Sequence, residues 1–148
     1  RRRRSHSPPP PPPQLWHVGL RGNRMGPDCG LHLAEMIRYR PGLKCIDLAN
    51  NALDDEAILH IEAAVGKNHE LQALNLEGNR LTDRGAAALA GLCRRRPRTL
   101  RRVLVARNPG ITERGRKELQ DALAGRPFFK FPDLLEGLAA FPPGPDPP

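Results

Sequence analysis

Apolar and polar residues follow one pattern that returns four times along this chain. LWHVGLRGNRM starts at Leu15, LKCIDLANNAL at Leu43, LQALNLEGNRL at Leu71 and LRRVLVARNPG at Leu100, so successive starts lie 28, 28 and 29 residues apart. In the third copy Leu71, Leu74 and Leu76 point into one core, while Asn75 and Glu77 alternate with them toward solvent. That is the period of a short strand. A helical pattern follows each strand, with Ile58, Ile61 and Val65 in the second copy and Ala86, Leu89 and Leu92 in the third. Thr82 or Asp83 can cap the third helix, and Asp54, Asp55 and Glu56 put negative charge where the second helix begins. A strand–helix unit recurring at this period predicts an α/β solenoid, a short curved horseshoe with parallel strands on its concave side and helices on its convex side.

An asparagine stands at one position of every copy, as Asn23, Asn51, Asn79 and Asn108, where the chain must turn away from the strand. An amide side chain both donates and accepts, so it can satisfy backbone groups that have left the sheet ladder. Left unpaired, each such group would cost about 1–3 kcal/mol. With this asparagine ladder the four copies, Leu15 to about Gly125, resemble leucine-rich repeats of the ribonuclease-inhibitor type, the long class with a full helix per repeat. The resemblance implies a recognition scaffold. Similar repeats also serve a regulator of the small GTPase Ran, so regulation of a GTPase is an alternative that the resemblance alone implies.

Charge is unevenly distributed. The chain carries +8 overall, with +4 in residues 1–14, 8 basic against 10 acidic residues in 15–93, and 10 basic against 3 acidic in 94–125. Arg94, Arg95, Arg96, Arg98, Arg101 and Arg102 form the densest cluster, expected in the return loop from Cys93 to Thr99 and at the start of the fourth strand. Such a patch would attract a phosphate-rich or acidic partner, nucleic acid included. No aromatic residues are interleaved with the arginines, which argues against reading of nucleic-acid bases.

The ends differ from the middle. Residues 1–14 hold an arginine run and Pro8–Pro13, a composition of a disordered, extended segment and a conceivable ligand for a proline-binding module. The repeat domain is expected over 15–126. Residues 127–141 contain all four phenylalanines, at 128, 129, 131 and 141, and read as a half repeat plus a short helix capping the core; 142–148 read as a disordered proline-rich tail.

Candidate chemistry is sparse. Cys29, Cys45 and Cys93 are widely spaced, which fits neither a zinc site nor a disulfide framework, and no cofactor motif is present. A nucleophile–base pair of Cys45 and His17 on neighbouring strands is far less favoured than two adjacent surface residues. With no run of membrane-spanning length, an intracellular and cytoplasmic location is expected, and a non-enzymatic role. Function is expected on the concave face, where His17, Arg21, Asp47, Asn75, Glu77 and Arg102 supply polar groups that could hold another protein by charge-assisted hydrogen bonds.

Overall fold

The computed structural model describes residues 9, 15–95 and 100–124. Four strands alternate with four helices: β1 (His17–Gly19), α1 (Cys29–Tyr39), β2 (Cys45–Asp47), α2 (Asp55–Val65), β3 (Ala73–Asn75), α3 (Asp83–Arg95), β4 (Arg102–Leu104) and α4 (Glu113–Leu123). The strands form one parallel sheet in the order β1-β2-β3-β4. Register is equivalent throughout, since Val18 pairs with Ile46, Ile46 with Leu74 and Leu74 with Val103. Repeats of 28–29 residues therefore stack without slippage.

Each strand is three residues long, yet inter-repeat bonding continues beyond it. Leu48 N–H donates to Asn75 C=O and Asn50 N–H to Glu77 C=O, both at 2.8 Å; Leu76 and Gly78 repeat the arrangement toward Leu104 and Ala106. The chain then turns through a left-handed residue at the same place in every repeat: Gly22 (φ 71°), Asn50 (54°), Gly78 (66°) and Arg107 (54°). Glycine and asparagine enter this region cheaply; arginine does not.

The core lies between sheet and helices. Leu43, Ile46, Leu48 and Leu53 of the second repeat are fully buried, as are Leu71, Leu74, Leu76 and Leu81 of the third. The first repeat has no neighbour before it among the described residues, and its Leu15 is 50% exposed. Identical sequence positions thus differ in burial by their place in the stack.

α3 runs three residues into the expected return loop, through Arg95. Cys93 is buried in the core and Arg94 and Arg95 complete the last helical turn. The physical reason is lateral pairing: Arg94 Nη1 lies 3.6 Å from Glu118 Oε1 on α4, and Arg95 pairs with Glu62 on α2. Apart from Pro9, the expected N-terminal segment lies outside the described residues, as do the cap at 127–141 and the tail at 142–148.

Candidate functional site on the concave sheet

The four turn asparagines take the expected position, and three of them bridge repeats. Asn51 Oδ1 accepts from the N–H groups of Asn23 and Met25 (3.0 and 3.1 Å), while its Nδ2 donates to Leu20 and Leu48 carbonyls, both at 3.0 Å. Asn79 joins Leu53 N–H to the carbonyls of Leu48 and Leu76 in the same manner. Asn108 does so for Leu81 N–H and for the carbonyls of Leu76 and Val105. Asn23 is exposed and reaches only its own repeat with its amide N–H, to Arg21 C=O at 3.3 Å.

Above this ladder the concave face grades from open to closed. His17 and Arg21 are exposed at β1, whereas Cys45, Ala73 and Leu104 are buried. Asn75 and Glu77, expected to face solvent, are only 1% and 3% exposed. Period-two alternation gives the side of the strand correctly, but side chains converge on the inside of a curved sheet and neighbouring strands crowd them. Both residues are also held. Asn75 Oδ1 turns back to accept Glu77 N–H at 3.0 Å, as Asp47 Oδ1 accepts Ala49 N–H one repeat earlier.

Two ion pairs join neighbouring repeats on this surface. Arg21 Nε meets Asp47 Oδ2 at 3.0 Å. Arg107 grips one oxygen of Glu77, with Nε at 2.8 Å and Nη2 at 2.7 Å from Oε1. The other oxygen, Glu77 Oε2, is buried and has no hydrogen-bond partner among the described residues. Sequence reading missed Arg107, which sits one place beyond the strand alternation and reaches Glu77 from a left-handed backbone. The spacing of 30 residues, close to one repeat, was the available signal.

The remaining candidates separate. Arg94 and Arg95 are committed to carboxylates on flanking helices, and Arg96 and Arg98 lie outside the described residues. Arg101 is exposed and Arg102 half-buried at the start of β4. His17 and Cys45 are register partners, but burial pushes the Cys45 thiol upward against the opposing pull of Lys44 and Arg102. A thiol held protonated is a poor nucleophile. Among the described residues no cluster of His, Cys, Asp or Glu is placed to hold a metal ion. Asp54 caps its own helix through Ala57 N–H, Asp55 caps the next helix, and Glu56 pairs with Arg84.

Sequence reasoning also missed Asn68. Its Nδ2 donates to the Ile37 and Arg40 carbonyls at the end of α1, and its Oδ1 accepts from the Glu70 and Leu71 N–H groups. All its polar capacity is used, and it fastens the return loop of one repeat to the helix end of the one before. The corresponding positions carry Arg40 and Arg96, so no repetition announced it.

A family model described as "Leucine Rich repeat" matches residues 67–90, which contain β3 and the first part of α3. The fold is similar to a solved structure titled "Leiomodin-1 Actin-Binding Site 2 (ABS2)", with a TM-score of 0.64 and 19% sequence identity. That match covers 72% of this chain and 62% of the leiomodin-1 chain. No curated protein sequence matches. No helix among the described residues is long and apolar enough to cross a membrane. Four strand–helix units in one register, the asparagine ladder between them and the match on the third unit give the chain the fold of a short leucine-rich-repeat solenoid.

Proposed function

We propose that this domain is a non-enzymatic scaffold that holds another protein against its concave sheet. The observation that carries the reading is the unpartnered Oε2 of Glu77. A buried polar atom without a partner costs about 1–3 kcal/mol, and more when the group is charged. A turn of the carboxylate that brings Oε2 to the concave surface, where a partner's N–H or ammonium donor meets it, removes the cost. The half-exposed Arg21–Asp47 pair beside it offers a second place for charge-assisted contacts. Three free cysteines suit a reducing compartment, so we place the protein in the cytoplasm.

Actin is the first partner to test, because the leiomodin-1 segment of similar fold is titled an actin-binding site; that likeness by itself supports only the fold. Co-sedimentation of the full chain with actin filaments would be compared with Asp47→Arg and Glu77→Gln. Glutamine is the better probe at position 77, since reversing the charge would set a second cation against Arg107 in a buried place. Binding that weakens in both variants, with the fold retained by circular dichroism, supports the concave face. Equal binding by all three proteins rejects it. With no actin bound, capture from lysate by the parent chain and the same two variants asks the question of other partners.

Anion binding by the arginine cluster gains less support. Two of its members are paired with carboxylates, and neutralising them would perturb the packing of α2, α3 and α4 along with any ligand.

A further inference from the structure

The helix seams on the convex side are not alike. The α2–α3 seam is crossed by Arg84–Glu56 (2.7 Å) and by Arg95–Glu62, and the α3–α4 seam by Arg94–Glu118 (3.6 Å). Among the described residues no ion pair crosses the α1–α2 seam. A groove of about 210 Å³ lies there instead, lined by Leu31, Ala34 and Tyr39 from α1 and by Ala63 and Ala64 from α2. Leu31 is 53% and Tyr39 71% exposed, and they are two of the three large apolar side chains exposed among the described residues. Exposed apolar residues scattered singly need no explanation, but two on the lip of one alanine-floored groove do.

The charges around the groove define what fits it. Arg38 stands on one wall, 5.9 Å from the Tyr39 ring, and Lys67 on the other. Among the described residues neither cation is paired with a carboxylate. Glu35 also lines the groove, but it lies 4.0 Å from His32 on its own helix. From Leu31 to Tyr39 the wall rises about 12 Å at 1.5 Å per residue, the length of roughly two turns of a docked helix. We propose that the α1–α2 groove is a second docking surface, and that its occupant is an amphipathic helical segment of another protein, with aliphatic or aromatic anchors flanked by carboxylates. Apolar anchors displace water from Leu31, Ala34 and Ala63, and the carboxylates meet Arg38 and Lys67. This surface faces away from the concave sheet, so the protein can hold two partners at once.

The test uses the full chain and two synthetic helical peptides. Both carry leucine and phenylalanine at helical spacing; one places glutamates beside them and the other lysines. Binding is followed by fluorescence anisotropy. The glutamate peptide is expected to bind, and Arg38→Glu/Lys67→Glu is expected to weaken it about tenfold while improving the lysine peptide. Ala63→Arg, at an exposed groove position, should abolish binding without lowering thermal stability. Equal binding of both peptides, indifference to Ala63→Arg, or no binding of the glutamate peptide overturns the proposal. So does sedimentation showing a dimer that Leu31→Ser dissolves, since the occupant would then be a second copy. Glu77→Gln should leave this binding unchanged, which keeps its failure separate from failure of the concave-face reading.

Discussion

Asp55 lies in the first turn of α2, yet its carboxylate starts α3. Oδ1 accepts the backbone N–H of Thr82 at 2.9 Å, and Oδ2 accepts the Thr82 hydroxyl. The same Oδ1 also accepts Gly85 N–H at 3.0 Å, and a Cβ on Gly85 would collide with it. Asp83 repeats the relationship toward Thr112, whose N–H and hydroxyl it accepts at 2.7 and 2.6 Å. A helix cap is ordinarily a local device. For α3 and α4 it is supplied by the preceding repeat, so there the cap and the stacking of repeats stand or fall together.

Asp55→Ala should therefore destabilise the domain by about 1–2 kcal/mol, the usual cost of a lost cap. Gly85→Ala alone should also destabilise, because its methyl group meets the Asp55 carboxylate. In the double variant that collision is gone and alanine favours the helix, so the two losses should add to less than their sum. Urea denaturation of the four proteins reads the coupling. Strict additivity would mean that the carboxylate does not sit over Gly85.

Acid should act on the second of these caps. Hydrogen bonds from the Thr112 hydroxyl and N–H hold the Asp83 carboxyl below its ordinary value, with Arg114 adding to the effect. A carboxyl lowered on folding contributes stability that is fully present above its unfolded pKa and is lost as pH falls through the folded one. The loss should begin as pH falls into the normal aspartate range, be complete only below the lowered folded value, and be absent near neutrality. Following the Asp83 carboxyl carbon by NMR titration, with Asp83→Asn as reference, checks it. A midpoint at or above the ordinary aspartate value would exclude the Thr112 contacts in solution.

The asparagine ladder predicts unequal costs for one substitution. Asn79→Ala removes an acceptor from Leu53 N–H and two donors from the Leu48 and Leu76 carbonyls, all within buried backbone, and should cost about 3 kcal/mol or more. Asn23→Ala removes only a 3.3 Å contact to Arg21 C=O at an exposed turn and should cost under about 1 kcal/mol. Denaturant midpoints compare them directly. Equal costs would mean that the ladder is not cooperative between repeats.

What the sequence made legible follows from this distinction. Leu71, Leu74, Leu76 and Asn79 could be read because their roles repeat at one spacing and depend on backbone geometry common to every copy. The burial of Asn75 and Glu77 could not be read that way. Alternation assigns a side chain to a face, whereas curvature and the neighbouring strands decide whether that face is wet. The cross-repeat roles of Asp55, Asn68 and Arg107 were missed for a related reason: each acts on a residue 27 to 31 positions away, across a repeat boundary. Spacing near one repeat makes such pairs neighbours, but only the register says which of them touch.

Arg107 carries two opposing effects that substitution can separate. Its guanidinium compensates the buried Glu77 carboxylate, and its backbone occupies a left-handed conformation with φ 54°. Arg107→Ala removes the compensation, leaves the carboxylate buried and alone, and keeps a Cβ in an unfavourable region; a loss of about 3–5 kcal/mol is expected. Arg107→Gly loses the same ion pair but relieves the backbone, so it should be about 1 kcal/mol more stable than the alanine variant. Adding Glu77→Gln to either should recover part of the loss, because an amide is cheaper to bury than a charge. Thermal melts of the five proteins, parent included, distinguish the terms. If glycine and alanine cost the same, the turn does not hold the left-handed residue in solution; if Glu77→Gln recovers nothing, the Arg107–Glu77 pair is not what fixes the concave face.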